Sequence, residues 1–223
     1  MFSDIAIPKG NETEFIEIAE KLGIKKLYFL YDFDKCQNQK SWHASERVNG
    51  ERGANLACHT NSLTGQIFDF GIGIGFIVNQ KNINKALNQS KLLVAKSSDK
   101  DRFFIESRKI KLIYGFEEIQ KRDYLRQRAS GLNHTICELC RENNVAVGMP
   151  YSFLFNKNPT ISSLIMGRMM QNIKLCQKYK VKTVIGSFSE KPFDMRSQHD
   201  IISFFSILGM DRKKIKESLT YNL

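Results

Sequence analysis

Two periods alternate along this chain. Residues 2–8 alternate apolar and polar positions, the period of a half-buried strand. Asn11 with Glu14 three residues on has the form of a capping box. Phe15, Ile16, Ala19 and Leu22 then share one helical stripe, which Gly23 closes. Residues 26–33 are almost continuously apolar, as a strand covered on both faces requires. The opening therefore predicts a β-α-β unit.

The alternation continues to the end. Further strands are predicted over 67–78, 92–95, 111–116, 145–149 and 181–187, and helices over 83–89, 100–107, 132–143, 162–180, 198–208 and 211–219. The segment 34–66 departs from the pattern. It is polar, contains Trp42, His43 and His59, and reads as a surface excursion with a possible helix over 40–47. Strands and helices alternate without a linker, which predicts one domain over 1–223 built on a parallel sheet. Gly71, Gly73 and Gly75 alternate within a strand but make no dinucleotide fingerprint. The third glycine of that fingerprint would fall on Phe76 or Val78, and no helix opens there. Such glycines mark close approach of a neighbouring element. Without a phosphate-binding glycine loop after the first strand, a slightly short (β/α) barrel of the TIM type is the expected fold.

Composition changes this picture in one respect. At 223 residues and 42% hydrophobic, the chain can build a sizeable core. Its 34 Lys and Arg outnumber 23 acids, for a net charge of +11, so its surface should attract polyanions, of which nucleic acid is the commonest. Met1-Phe2-Ser3-Asp4 lacks the basic start of a signal peptide, and no apolar run reaches membrane-span length, so a cytoplasmic protein with reduced thiols and no membrane contact is expected. Cys137 and Cys140 form a CxxC without a second pair. Within a helical pattern they are read as core residues rather than a zinc or redox site.

Catalytic signals are weak. Predicted strand ends offer Asp32, Asp34, Glu117 and Glu118, but no histidine joins them, and two carboxylate pairs alone make a poor zinc or manganese site. There is no G-x-S-x-G elbow. A metal-dependent phosphoesterase using Asp32 and Asp34 is nevertheless the alternative reading on such a barrel. The polyanion signal is stronger. The stretch 126–134 reads RQRASGLNH and runs into a helix whose N-terminus is set by Asn133 or Ser130. Cations at a helix start suit an anion, because the first backbone N–H groups lack partners. More cations fall at Arg108, Lys109, Lys111, Arg122, Arg168, Lys191 and Arg196, and on Arg212, Lys213, Lys214 and Lys216.

Several blocks then carry a family resemblance: DIAIP at 4–8, SGLNH at 130–134, NNVAVG at 143–148, Arg168 with Gln171-Asn172, CQKYKV at 176–181 and KPFDMRS at 191–197. Together and in this order they resemble archaeal ribonuclease P protein component 3, related to the thirty-kilodalton subunit of the eukaryotic enzyme. The resemblance implies a TIM-barrel-like fold akin to polymerase-and-histidinol-phosphatase domains without their metal-binding histidines. It implies a ribonuclease P subunit that binds and stabilises the catalytic RNA removing the 5′ leader of precursor tRNA. The RNA would be the catalyst and would need Mg2+, with no cofactor or metal bound by the protein. The implied partners are ribonuclease P RNA, ribonuclease P protein component 2 and the other ribonuclease P proteins, with precursor tRNA as the holoenzyme's substrate. The matched blocks suggest Arg128, Asn133, His134, Arg168, Lys178, Lys191 and Arg196 as RNA-binding, with His134 open to a structural role instead. The segment 34–66 is hard to match, and Met195 stands where the family usually has leucine, an exchange that nearly conserves volume.

Overall fold

A computed structural model describes residues 2–38, 56–57, 71–120, 122–155, 157–221 and 223. Seven parallel strands form the sheet, in the order β1 (Ser3–Ala6), β2 (Lys26–Asp32), β4 (Gly71–Ile77), β5 (Leu93–Lys96), β6 (Leu112–Tyr114), β7 (Ala146–Pro150) and β8 (Thr183–Gly186). A two-residue strand, β3 (Leu56–Ala57), pairs antiparallel with β4. The sheet curls until its edges meet. Phe188 N–H donates to Ile5 O at 2.7 Å and Ile7 N–H donates to Ser189 O at 2.8 Å, joining the end of β8 to β1. The result is the short (β/α) barrel the pattern predicts, with seven parallel strands where the full barrel has eight. The helix considered over 40–47 lies outside the described residues, as do Trp42, His43 and His59.

Helices cover the outside: α1 (Glu12–Lys21), α2 (Phe33–Asn38), α3 (Ile83–Leu87), α4 (Asp101–Glu106), α5 (His134–Glu142), α6 (Pro159–Tyr179), α7 (Gln198–Ile207) and α8 (Arg212–Leu219). Parity along each strand divides the core. Ile5, Tyr28, Leu30, Val94, Leu112, Tyr114, Val184 and Phe188 fill the barrel, while Ala6, Leu27, Phe29, Leu93, Ile113, Val147 and Ile185 pack against the helices. The alternating glycines do what the sequence suggests. A Cβ on Gly73 would lie 2.5 Å from the Tyr28 ring, and one on Gly75 would lie 2.6 Å from Leu92 Cγ. Cys137 and Cys140 are buried on α5 with Cys176 of α6, all as free thiols. The capping box expected at Asn11 is absent. Asn11 Oδ1 accepts from Lys9 N–H and Nδ2 donates to Glu190 O, so this side chain ties the loop after β1 to the loop after β8. Among the described residues, no helix is long and apolar enough to cross a membrane.

Candidate nucleic-acid interface

Barrel enzymes place their chemistry at the C-terminal ends of the strands. Here that mouth is filled. Tyr114 and Phe188 stack inside it with ring centroids 4.5 Å apart, and Phe153 packs beside Tyr114. Lys96 and Lys157 lie over the Phe153 ring and both pair with Glu118. Lys9 pairs with Glu190 at 2.5 Å. Asp34 accepts from Asn79 and Asn82, which hold its carboxyl below the ordinary aspartate range. Asp32 accepts from the Asp34 N–H. The carboxylates that a phosphoesterase would need are therefore engaged with lysines and amides. Among the described residues no group of three His, Cys, Asp or Glu side chains could hold a metal ion.

Beside the mouth stands a loop with the opposite character. After β6 the chain makes a short 3-10 turn (Phe116–Glu118) and crosses to α5 over the flank of α6. Its anchor is Arg168, which is only 1% exposed. Arg168 Nε donates to Asp123 Oδ1 at 2.8 Å, and Nη1 donates to Glu117 O at 2.8 Å and Gln120 O at 2.7 Å. One turn further along α6, Asn172 Nδ2 donates to Glu117 Oε1 at 2.7 Å and to Ser130 O at 3.0 Å. Arg168 and Asn172 thus clamp the loop at both ends. Burial pushes the Glu117 carboxyl up to about 7 against the opposing hydrogen bond from Asn172. Partial burial works against ionisation of Asp123. The hydrogen bonds from Ala129 N–H and Arg168 outweigh it and keep that carboxyl below its ordinary value.

With Asp123 turned inward, the described residues from 122 to 128 expose cations, apolar groups and Gln127 but no acid. Arg122, Arg126 and Arg128 are exposed, and between them Tyr124 is 65% and Leu125 100% exposed. Arg128 lies across α6, donating to Gly167 O at 2.6 Å. A Cβ at 167 would lie 2.6 Å from the guanidinium, so a larger residue there would push the Arg128 side chain aside. Gly131 turns the chain at φ +80° against the Phe116 backbone, and Asn133 then opens α5. A second loop, after β8, also sets an exposed aromatic among cations, with Glu190 and Asp194 in the same loop. Lys191 and Phe193 are exposed, Phe193 at 80%, with Arg196 half-buried beside them. An aromatic face set among cations is the arrangement that stacks on unpaired bases while neutralising phosphates.

The residues suggested by sequence separate accordingly. Arg128, His134 and Lys191 are exposed at the C-terminal end of the barrel. Arg168 is a correction: buried and committed to three acceptors, it positions the loop and cannot face RNA. Asn133 is exposed, and its Oδ1 accepts from Ile136 N–H at 2.9 Å as the helix cap. Arg196 Nη1 donates to Phe193 O and Met195 O, and the guanidinium lies 4.4 Å from the centre of the Phe155 ring, so it shapes its loop as well as charging it. Lys178 is exposed but sits at the far end of α6, ten residues or ~15 Å from Arg168 along the helix. Counting cations overlooks Tyr124, Leu125 and Phe193, whose signal is an aromatic or leucine embedded in a polar loop.

Residues 121–223 match the family model described as RNase P subunit p30. That span takes in the clamped loop, α5, α6 and the loop after β8. Ribonuclease P protein component 3 of Methanothermobacter thermautotrophicus is 22% identical over 211 residues, covering 91% of this chain and 77% of that protein. Residues 121–223 are thus similar to the RNase P p30 family. The component 3 protein of Thermococcus kodakarensis is 31% identical over 91 residues, which span 41% of each chain. A chain in the cryo-EM structure of archaeal ribonuclease P with mature tRNA superposes with a TM-score of 0.66 at 18% identity, covering 97% of this chain and 87% of that one. This superposition shows a shared fold that takes in the N-terminal strands as well.

Proposed function

We propose that this chain is a protein subunit of ribonuclease P that binds the catalytic RNA and does not itself cleave. The observation that supports this reading is the contrast at one end of the barrel. The enzyme-like mouth is plugged by Tyr114, Phe188 and Phe153, while the clamped loop beside it displays Arg122, Tyr124, Leu125, Arg126 and Arg128. Such a surface neutralises phosphate where RNA segments crowd together, and its contacts are individually weak and collectively salt-sensitive. In this reading Mg2+ serves the RNA, and component 2 and the other ribonuclease P proteins complete the particle in the cytoplasm.

The test is reconstitution of precursor-tRNA 5′-leader removal at limiting Mg2+, with and without this chain. Addition of the chain is expected to lower the Mg2+ needed for cleavage. No change in rate or Mg2+ requirement would overturn the reading. Turnover of simple phosphate esters by the purified chain with Mn2+, lost on Asp32→Asn or Asp34→Asn, would favour the phosphoesterase instead.

A further inference from the structure

The opposite end of the barrel carries cations that the loops above do not use. A cleft of about 650 Å³ opens there, lined by Lys111, Lys180, Lys182 and Lys214. Lys111 and Lys182 immediately precede β6 and β8, the two neighbours of β7. Strand spacing therefore places their backbones ~10 Å apart across the rim. Lys180 follows the last turn of α6, and Lys214 projects from α8. All four are exposed. Among the described residues, none of the four ammonium groups pairs with a carboxylate, and Glu217 is the only acidic side chain in the lining.

The shape of this cleft selects its ligand. A pocket for one phosphate encloses it with backbone N–H groups at a helix start. Here α6 contributes its C-terminus, whose dipole favours cations rather than anions, and the lysines stand around an open groove. Separated point charges along an open surface fit a chain of phosphates. The floor is firm: Lys182 Nζ donates to Asn144 Oδ1 at 2.7 Å, Thr183 and Ser218 hydroxyls pair at 2.6 Å, and Tyr221 stacks on Tyr28. The cleft is also distant from the clamped loop. The 21 residues of α6 run from one end of the barrel to the other, ~30 Å.

We propose that this cleft is a second site for the RNA phosphodiester backbone, so that the chain bridges two RNA segments at opposite ends of its barrel. This rests on the reading of the chain as an RNA-binding subunit. The full chain would be titrated with transcribed ribonuclease P RNA across a series of salt concentrations. Comparison would be with Lys182→Gln/Lys214→Gln and with Arg126→Gln/Arg128→Gln, each checked for an unchanged melting temperature. Each pair is expected to weaken binding about tenfold at low salt and to reduce the slope of log K against log salt by nearly ~2. Nuclease footprints should differ, each pair losing protection at its own nucleotides. If wild type binds and the lysine pair leaves affinity, slope and footprint unchanged, the second site is overturned, and an acidic protein face becomes its better occupant. Loss of the same nucleotides by both pairs would overturn the bridge. If wild type itself fails to bind, the functional reading falls as well.

Discussion

The two ends of the barrel carry the same charge in different chemistry. At the C-terminal end the described cations of the clamped loop are arginines, set around Tyr124 and fixed by a buried clamp. At the N-terminal end they are lysines around an open cleft. Arginine offers a planar fork that pairs with phosphate in two bonds and stacks on bases, whereas lysine offers a mobile point charge. On the proposed reading, the first end would hold irregular, partly unstacked RNA in one orientation, and the second would neutralise backbone wherever it passes. Rigidity follows the same division. Orientation demands a fixed loop, and only the arginine end invests a buried ion pair in one.

That investment gives the largest expected effect. Arg168→Ala removes three hydrogen bonds and leaves the Asp123 carboxylate without its cation. Because Asp123 is partly exposed, the expected cost is that of leaving hydrogen-bonding groups unpaired, about 1–3 kcal/mol. Denaturant unfolding should show this loss, and hydrogen exchange should show lost protection at Ala129 N–H, which donates to Asp123. Arg168→Lys should not restore it, because an ammonium cannot reach three acceptors with the guanidinium's geometry. RNA binding should lose the contribution of the arginine end and keep the salt dependence owed to the lysines. A loss of stability under ~1 kcal/mol would remove the clamp from the argument.

The clamp also shows what the sequence could and could not disclose. Barrel order was legible because buried strands and amphipathic helices have distinct periods, and Gly73 and Gly75 announced their close contacts. The helix start at Asn133, one of the two caps the sequence offered, was legible because a cap is local. Arg168 was not, because its partners lie 45 to 51 residues away and an arginine reads as surface until a carboxylate and two carbonyls are found beneath it. Gly167 was the available hint: a glycine inside a long helix costs stability unless something must approach, and here Arg128 does. The lysine cleft was invisible because Lys111, Lys182 and Lys214 belong to three separate elements.

A second, smaller effect sets the ends apart by pH. Two buried carboxyls serve the arginine end: Glu117, raised from 4.5 to about 7, and Asp4, raised from 3.8 to about 6, each chiefly by burial. Asp4 accepts from Tyr151 Oη and Ser187 N–H where β7 and β8 finish. Both are acids with a raised folded value, so the fold binds protons that the unfolded chain releases. Their contribution is complete below the unfolded values and is lost as pH rises through about 6 for Asp4 and about 7 for Glu117. The melting temperature should therefore fall by several degrees between pH 5.5 and pH 8. Glu117→Gln keeps an acceptor for Asn172 while removing the titration, and should flatten the fall. A melting temperature that rises over this interval, or an unchanged slope in Glu117→Gln, would contradict this assignment.

The finest distinction is between reading bases and neutralising phosphates. Tyr124 is the aromatic that arginines flank in the clamped loop, and nothing in the fold requires its ring to be 65% exposed. If the ring stacks on an unpaired base, Tyr124→Ala should weaken binding to ribonuclease P RNA by about 1–3 kcal/mol. The slope of affinity against salt should stay as in wild type, because no charge is lost. Tyr124→Phe should bind as wild type does, since stacking needs the ring and not the hydroxyl. Arg126→Gln/Arg128→Gln should do the reverse, changing the slope on every RNA tested. A Tyr124→Ala protein of full affinity would leave the arginine end a phosphate clamp like the lysine end, and the difference between them would reduce to rigidity alone.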